Sequence, residues 1–168
     1  MPRTVAPPIA YEIPEDNGIE TLLFIDRKPQ DKYYFLQYGG WDTEMTDAHL
    51  DLLPPGVENL IVCRKNGTNK RPLRITCTPK RLGQQGLKSL AFICIVEGLE
   101  TDEVFSECTT LEQLWISGHE RTLFGTVENL KKLPLKHIGL GDEIKYPSPE
   151  LGEFIRSRRP GLSVGCFR

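Results

Sequence analysis

"CTTLEQLWISG", residues 108 to 118, changes its apolar rhythm partway along. Leu111 and Leu114 stand three apart, as on one face of a helical turn, whereas Leu114 and Ile116 stand two apart, as on one face of a strand. The switch predicts a chain that leaves a helix or turn near Leu111 and enters a short strand, with both elements feeding one core. Working outward, the same phrase recurs as "VENLIVC" from Val57, "LKSLAFI" from Leu87 and "LKKLPLK" from Leu130. Weaker echoes are "YYFLQYG" from Tyr33 and "RPGLSVG" from Arg159. Successive starts are separated by 24, 30, 24, 19 and 29 residues.

A loose three-position apolar pattern also arises by chance, so the flanks carry the weight. Before Leu111, "TDEVFSEC" has Thr101 as an N-cap, acids in the first turn, and Val104, Phe105 and Cys108 on one face. Before Arg159, "SPELGEFIRSR" has Ser148 as a cap, Pro149 at the first helical position, and Leu151, Phe154 and Ile155 on one stripe. Thr78-Pro79 starts and Gly86 stops a helix before Leu87, while "TDAHLDLLP" and "ERTLFGTVEN" read as short helices ahead of Val57 and Leu130. The unit is therefore a short helix, a turn and a short strand. One unit cannot bury its own stripe; stacked copies can, through Leu60, Val62, Leu90, Phe92, Leu114, Ile116, Leu133 and Leu135.

On these LxxLxL phrases the chain resembles the leucine-rich-repeat family, over residues 33 to 168. The helical returns, and Cys108 three residues before Leu111, are most similar to the ribonuclease-inhibitor and F-box-associated branch, although no F-box is visible. The resemblance implies an α/β fold, a solenoid with short parallel strands on a concave face and short helices on a convex face. The family's asparagine after each strand is replaced here by Lys65, Ile95, His119 and Ile138. Residues 1 to 32 form an N-terminal extension in which "GIETLLFID" is expected to be a capping strand. Residues 64 to 81 are expected to form an inserted basic β-hairpin turned at Asn66-Gly67, with Leu73 and Ile75 on the returning strand. Residues 142 to 149 are expected to form a further loop.

Composition limits the function. At 168 residues and 39% apolar content the chain can bury one ordinary core, and a net charge of −2 supplies no overall attraction to nucleic acid or anionic membrane. Five cysteines without a CxxC pair argue against a disulfide framework and a zinc site and suit a reducing intracellular compartment, in cytoplasm, nucleus or mitochondrion. No signal-peptide pattern and no apolar run of bilayer length is present, so membrane insertion is not expected. Neither is a cofactor. His49, His119 and His137 lack a nucleophile elbow, a phosphate loop or a metal-binding motif, and "GLGDE", residues 139 to 143, reads as a turn; the chain is expected not to be an enzyme.

Side chains between the core positions of each strand would line the concave face. Its central column would be Gln37, Ile61, Ala91, Trp115, Pro134 and Ser163, flanked by Asn59, Ser89, Gln113 and Lys132 on one side and by Cys63, Ile93, Ser117 and Lys136 on the other. Ile61, Cys63, Ile93, Gln113, Trp115, Ser117 and Lys136 are the candidate protein-binding residues. Trp115 has two readings: a rigid anchor for a partner, or a ring packed within the monomer. The expected function is a non-enzymatic protein-interaction module, an adaptor or a subunit of a larger assembly. The alternative is an RNA- or phosphate-binding module using Arg64, Lys65, Lys70, Arg71 and Arg74. The basic segment has no interleaved aromatic residue on which bases could stack, so nucleic acid is not the expected partner.

Overall fold

The computed structural model describes residues 9–12, 19–25, 32–38, 44–53, 56–64, 72–157 and 163–165, with side chains described between residues 34 and 157 of these. It is a mixed α/β structure built on a largely parallel sheet with few helices. Strands β1 (Ile9–Glu12), β2 (Ile19–Ile25) and β3 (Lys32–Tyr38) pair with one another antiparallel, in that order. From β3 onward the sheet adds strands in sequence order, all parallel: β5 (Asn59–Arg64), β7 (Ser89–Glu97), β8 (Gln113–His119), β9 (His137–Ile144) and β10 (Ser163–Gly165). The expected capping strand lies in β2, paired to β3.

Lateral register explains why the LxxLxL spacing folds this way. Tyr34, Leu60, Leu90, Leu114, Ile138 and Val164 lie side by side in one row, and Leu36, Val62, Phe92, Ile116 and Leu140 in the next. Leu36, Leu60, Val62, Leu90, Phe92, Leu114, Ile116 and Ile138 are buried. The described parts of the connections add apolar side chains to the same core. Helix α1 (Asp47–Leu50) contributes Leu50, α2 (Pro79–Gln84) Leu82, and α3 (Pro149–Ser157) Leu151 and Phe154. The 3-10 turns Glu103–Phe105 and Leu130–Lys132 contribute Phe105 and Leu130.

The helix boundaries follow local chemistry. Thr78 Oγ accepts from Arg81 N at 3.3 Å and Pro79 opens α2, which gives way at Gly86, φ +69°. Ser148 Oγ accepts from Leu151 N at 2.9 Å and Pro149 opens α3. Ahead of Leu111, where a helix is expected, only the 3-10 turn forms. "ERTLFGTVEN" is no helix: Leu123 bridges to Pro147 in parallel, and Phe124, at φ +52°, points its ring into the core against Phe105.

The expected hairpin at 64–81 is also corrected. Strand β6 (Leu73–Ile75) does not return along β5; it runs parallel to β7, with Leu73 beside Val96 and Arg74 beside Glu97. It thus continues the line of β5 farther along β7. Similarly, β4 (Glu44–Met45) continues the line of β3 and pairs with β6. Register shifts set one extra residue in β7, between Phe92 and Ile95, and one in β9, between Leu140 and Glu143, both against Ser117 of β8, so the strands share one kink. The Asn66-Gly67 turn falls outside the described residues.

Three units are registered differently from their expected starts. The strand assigned to "LKKLPLK" lies later, so that Leu135, Ile138 and Leu140 occupy the places of Leu111, Leu114 and Ile116. Leu133 and Leu135 are buried as expected, but in the approach to the strand. In β3 and β10 the frame moves by two residues: Phe35, not Gln37, lies beside Ile61, and Ser163 lies beside His137. Residues 139 to 143, expected to be a turn, lie within β9, which also takes in Asp142–Ile144 of the expected loop.

Candidate functional site: the outer face of the sheet

Alternation in a strand sends the neighbours of the core residues to the opposite, outer face. Three rows cross the strands there. Asn59, Ser89, Gln113 and His137 form the first; Phe35, Ile61, Ala91, Trp115 and Gly139 the second; Gln37, Cys63 and Ile93 the third, continued past the kink by Ser117 and Gly141. Most of these side chains are half-buried, Gln113 is exposed, and Ile93 has 44% of its surface exposed, unusual for an isoleucine in the middle of a parallel sheet.

None of these fourteen positions is Asp, Glu, Lys or Arg, although 26% of the chain is charged. The charges sit at the rims. Glu58, Lys88, Glu112 and Lys136 occupy the equivalent position just before successive strands, and the carbonyls of Glu58, Lys88 and Glu112 each accept two amides from the next unit. Glu58 O takes Lys88 N at 2.7 Å and Ser89 N at 3.0 Å; Lys88 O takes Glu112 N and Gln113 N; Glu112 O takes Lys136 N and His137 N. Their side chains pair as Lys88–Glu58 and Lys136–Glu112, both at 3.4 Å. At the far ends of the strands lie Arg64, Glu97, Glu120, Asp142 and Glu143.

Trp115 combines features of both its readings. Its ring lies across the next strand: a Cβ on Gly139 would meet Trp115 Cε3 at 2.0 Å, and the His137 ring is 4.3 Å away between centroids, tilted by 36°. The indole is thus seated on a glycine that leaves room for it, while remaining half-exposed. Gly141 serves the backbone instead, since a Cβ there would meet Ser117 O at 2.3 Å.

The expected binding residues separate accordingly. Ile61, Cys63, Ile93, Gln113, Trp115 and Ser117 share the outer face. Lys136 does not stand beside Ser117 as expected; it belongs to the opposite rim, bound to Glu112. Lys132 lies in a 3-10 turn and Pro134 in the approach to β9, so neither occupies its expected flank or column position. Phe35, His137, Gly139 and Gly141 were hidden by the register error. Reading LxxLxL from Leu135 would have exposed the three residues of β9, because 111 to 135 then repeats the 24-residue step from 87 to 111, while Phe35 depends on the two-residue shift in β3.

Of the candidate anion-binding residues, Arg64 is half-buried at the end of β5, and Arg74 Nε meets Glu97 Oε1 at 3.2 Å. Lys65, Lys70 and Arg71 fall outside the described residues. The neighbouring Arg81 is held by Asp51 at 2.7 Å. The positive field is therefore partly answered within the chain.

His119 and the cysteines have structural environments. His119 is fully buried; its Nδ1 donates to Arg121 O at 2.7 Å and its Nε2 accepts from Leu99 N at 3.1 Å. It joins the turn at Leu99 to that at Arg121. Desolvation pushes the thiols up, Cys63 to about 11 and Cys77, Cys94 and Cys108 to about 12, so all four are neutral thiols near pH 7. Among the described residues no three His, Cys, Asp or Glu side chains are placed to hold a metal ion, and no helix is long and apolar enough to cross a membrane. Comparison of the chain with protein-family models, curated proteins and solved structures finds no match.

Proposed function

We propose that the chain is a leucine-rich-repeat-like solenoid that binds another protein through the outer face of its parallel sheet, as an adaptor or a subunit of a larger assembly. The observation that carries this reading is the charge-free face itself. A protein interface differs from ordinary surface chiefly by depletion of charge at its centre, with aromatic enrichment and a polar rim. The three rows around Trp115 and Ile93, bordered by the Glu58-to-Lys136 row, have that composition. The in-register LxxLxL rows support the solenoid, since each strand's inner edge is covered only by its neighbours and their connections. No chemical step is proposed, and five cysteines without a CxxC pair suit a reducing compartment.

The test is affinity capture with the full chain as bait, at moderate salt, with and without nuclease. A protein should be retained in both conditions and lost with Trp115→Ala and with Ile93→Glu, which puts a carboxylate on the uncharged face. Capture that vanishes with nuclease or with Arg74→Glu, yet tolerates Ile93→Glu, would refute the reading and favour the basic segment.

A further inference from the structure

We infer that the outer face takes a second copy of this chain, in a two-fold dimer whose axis runs parallel to the strands between β7 and β8. The inference rests on the reading of that face as a protein-binding surface and names its occupant. A two-fold contact requires one surface to complement itself, and the register shows that this one does.

The six parallel strands β3, β5, β7, β8, β9 and β10 have their midpoint between β7 and β8. A two-fold there, with outer faces opposed, keeps strand direction and reverses strand order, so that β7 meets β8 and β5 meets β9 of the second copy. Along the rim the order Glu58, Lys88, Glu112, Lys136 reads, when reversed, Lys136, Glu112, Lys88, Glu58. Every acid is then opposite a base: Glu58 faces Lys136, and Lys88 faces Glu112. The alternation that forms two pairs within one chain becomes a joined row across two.

The same operation matches sizes in the rows behind the rim. Trp115 comes opposite Ala91, and Ile61 opposite Gly139, so the bulky members of the central row meet the small ones. Ile93 comes opposite Ser117. In the first row Ser89 meets Gln113 and Asn59 meets His137, groups that can exchange hydrogen bonds. Sheets packed face to face lie about 10 Å apart, a gap filled by side chains alternating in this way. The fourteen positions of the three rows carry no charge, so packing them together buries none unpaired; beyond them the same operation sets Glu97, paired in its own chain with Arg74, opposite Glu120, a like-charged contact that opposes the dimer.

Sedimentation equilibrium of the full chain over a concentration series tests this. The expected result is a reversible dimer, lost with Ile93→Glu and weakened by about tenfold or more with either Lys88→Glu or Glu112→Lys, each of which sets like charges opposite one another. The combined variant Lys88→Glu, Glu112→Lys is decisive. It destroys both pairs within the chain, Lys88–Glu58 and Lys136–Glu112, yet restores opposite charges across the two-fold. Recovery of dimerisation in that variant supports the inference. A chain that sediments as a monomer throughout, or a dimer indifferent to Ile93→Glu, overturns it. If the monomer still captures a different protein through Trp115, only the second copy as occupant is lost.

Discussion

Asp102 shows how far one buried side chain reaches. Its carboxylate is fully buried and accepts four hydrogen bonds from residues more than twenty positions ahead: Thr126 Oγ1 at 3.0 Å, Asn129 Nδ2 at 3.0 Å, Asn129 N at 2.8 Å and Leu130 N at 2.9 Å. It thereby holds the start of the 3-10 turn that leads to β9 against the turn that leads to β8. Asp102→Ala would leave two backbone amides without an acceptor in the interior, so a loss of about 3 kcal/mol is expected in a denaturant titration, and a smaller one for Asp102→Asn, which keeps one oxygen. His119 does similar work between the turn at Leu99 and that at Arg121. His119→Ala should cost about 1–3 kcal/mol by the same measurement. Neither role was legible beforehand. Asp102 reads as an acid in a first turn and His119 as one histidine among three, because the amides they serve come close only when successive units stack.

At the scale of the element, the period switch at Leu111 to Ile116 carried the fold: three apolar positions on a shared inner edge specify a strand that must pack sideways on its neighbours. Capping chemistry was equally legible, since Thr78-Pro79 and Ser148-Pro149 open helices by local geometry alone. Strand β9 was not. Its sequence, HIGLGDEI, offers two glycines and two acids where a strand ordinarily shows branched residues, and leucines at 130, 133 and 135 supply a competing frame. Both glycines answer to the neighbouring strand, Gly139 to the indole of Trp115 and Gly141 to the backbone of Ser117. Gly139→Ala should therefore displace the indole while leaving β9 in place, seen as a red-shifted tryptophan emission with a stability loss of about 1–3 kcal/mol. Gly141→Ala should destabilise more, because its new methyl group would press on main chain rather than on a side chain that can turn away. Equal losses with unchanged emission would show that the ring does not rest on Gly139.

The whole molecule holds its buried thiols neutral, and this sets its tolerance of alkali. Cys77, Cys94 and Cys108 are pushed up from about 9 to about 12 by burial, so folded and unfolded chains bind equal numbers of thiol protons below pH 9. Above it the unfolded chain releases them first, and stability falls as pH rises from 9 toward 12. Each such group contributes a slope of about 1.4 kcal/mol per pH unit within that window. Denaturation midpoints measured across it should drop less steeply in a Cys77→Ala, Cys108→Ala variant than in the parent chain. The sequence by itself determined the repeating helix-or-turn and strand unit, the inner edge of each strand, the helix starts at Thr78 and Ser148, and most of the outer-face residues, because each depends on spacing within a few residues. Only the tertiary structure decided how the units align sideways. That alignment turned the hairpin into a strand parallel to β7, moved Lys136 to the rim and seated Trp115 on Gly139, since register between parallel strands is set by packing of residues some 24 or more positions apart.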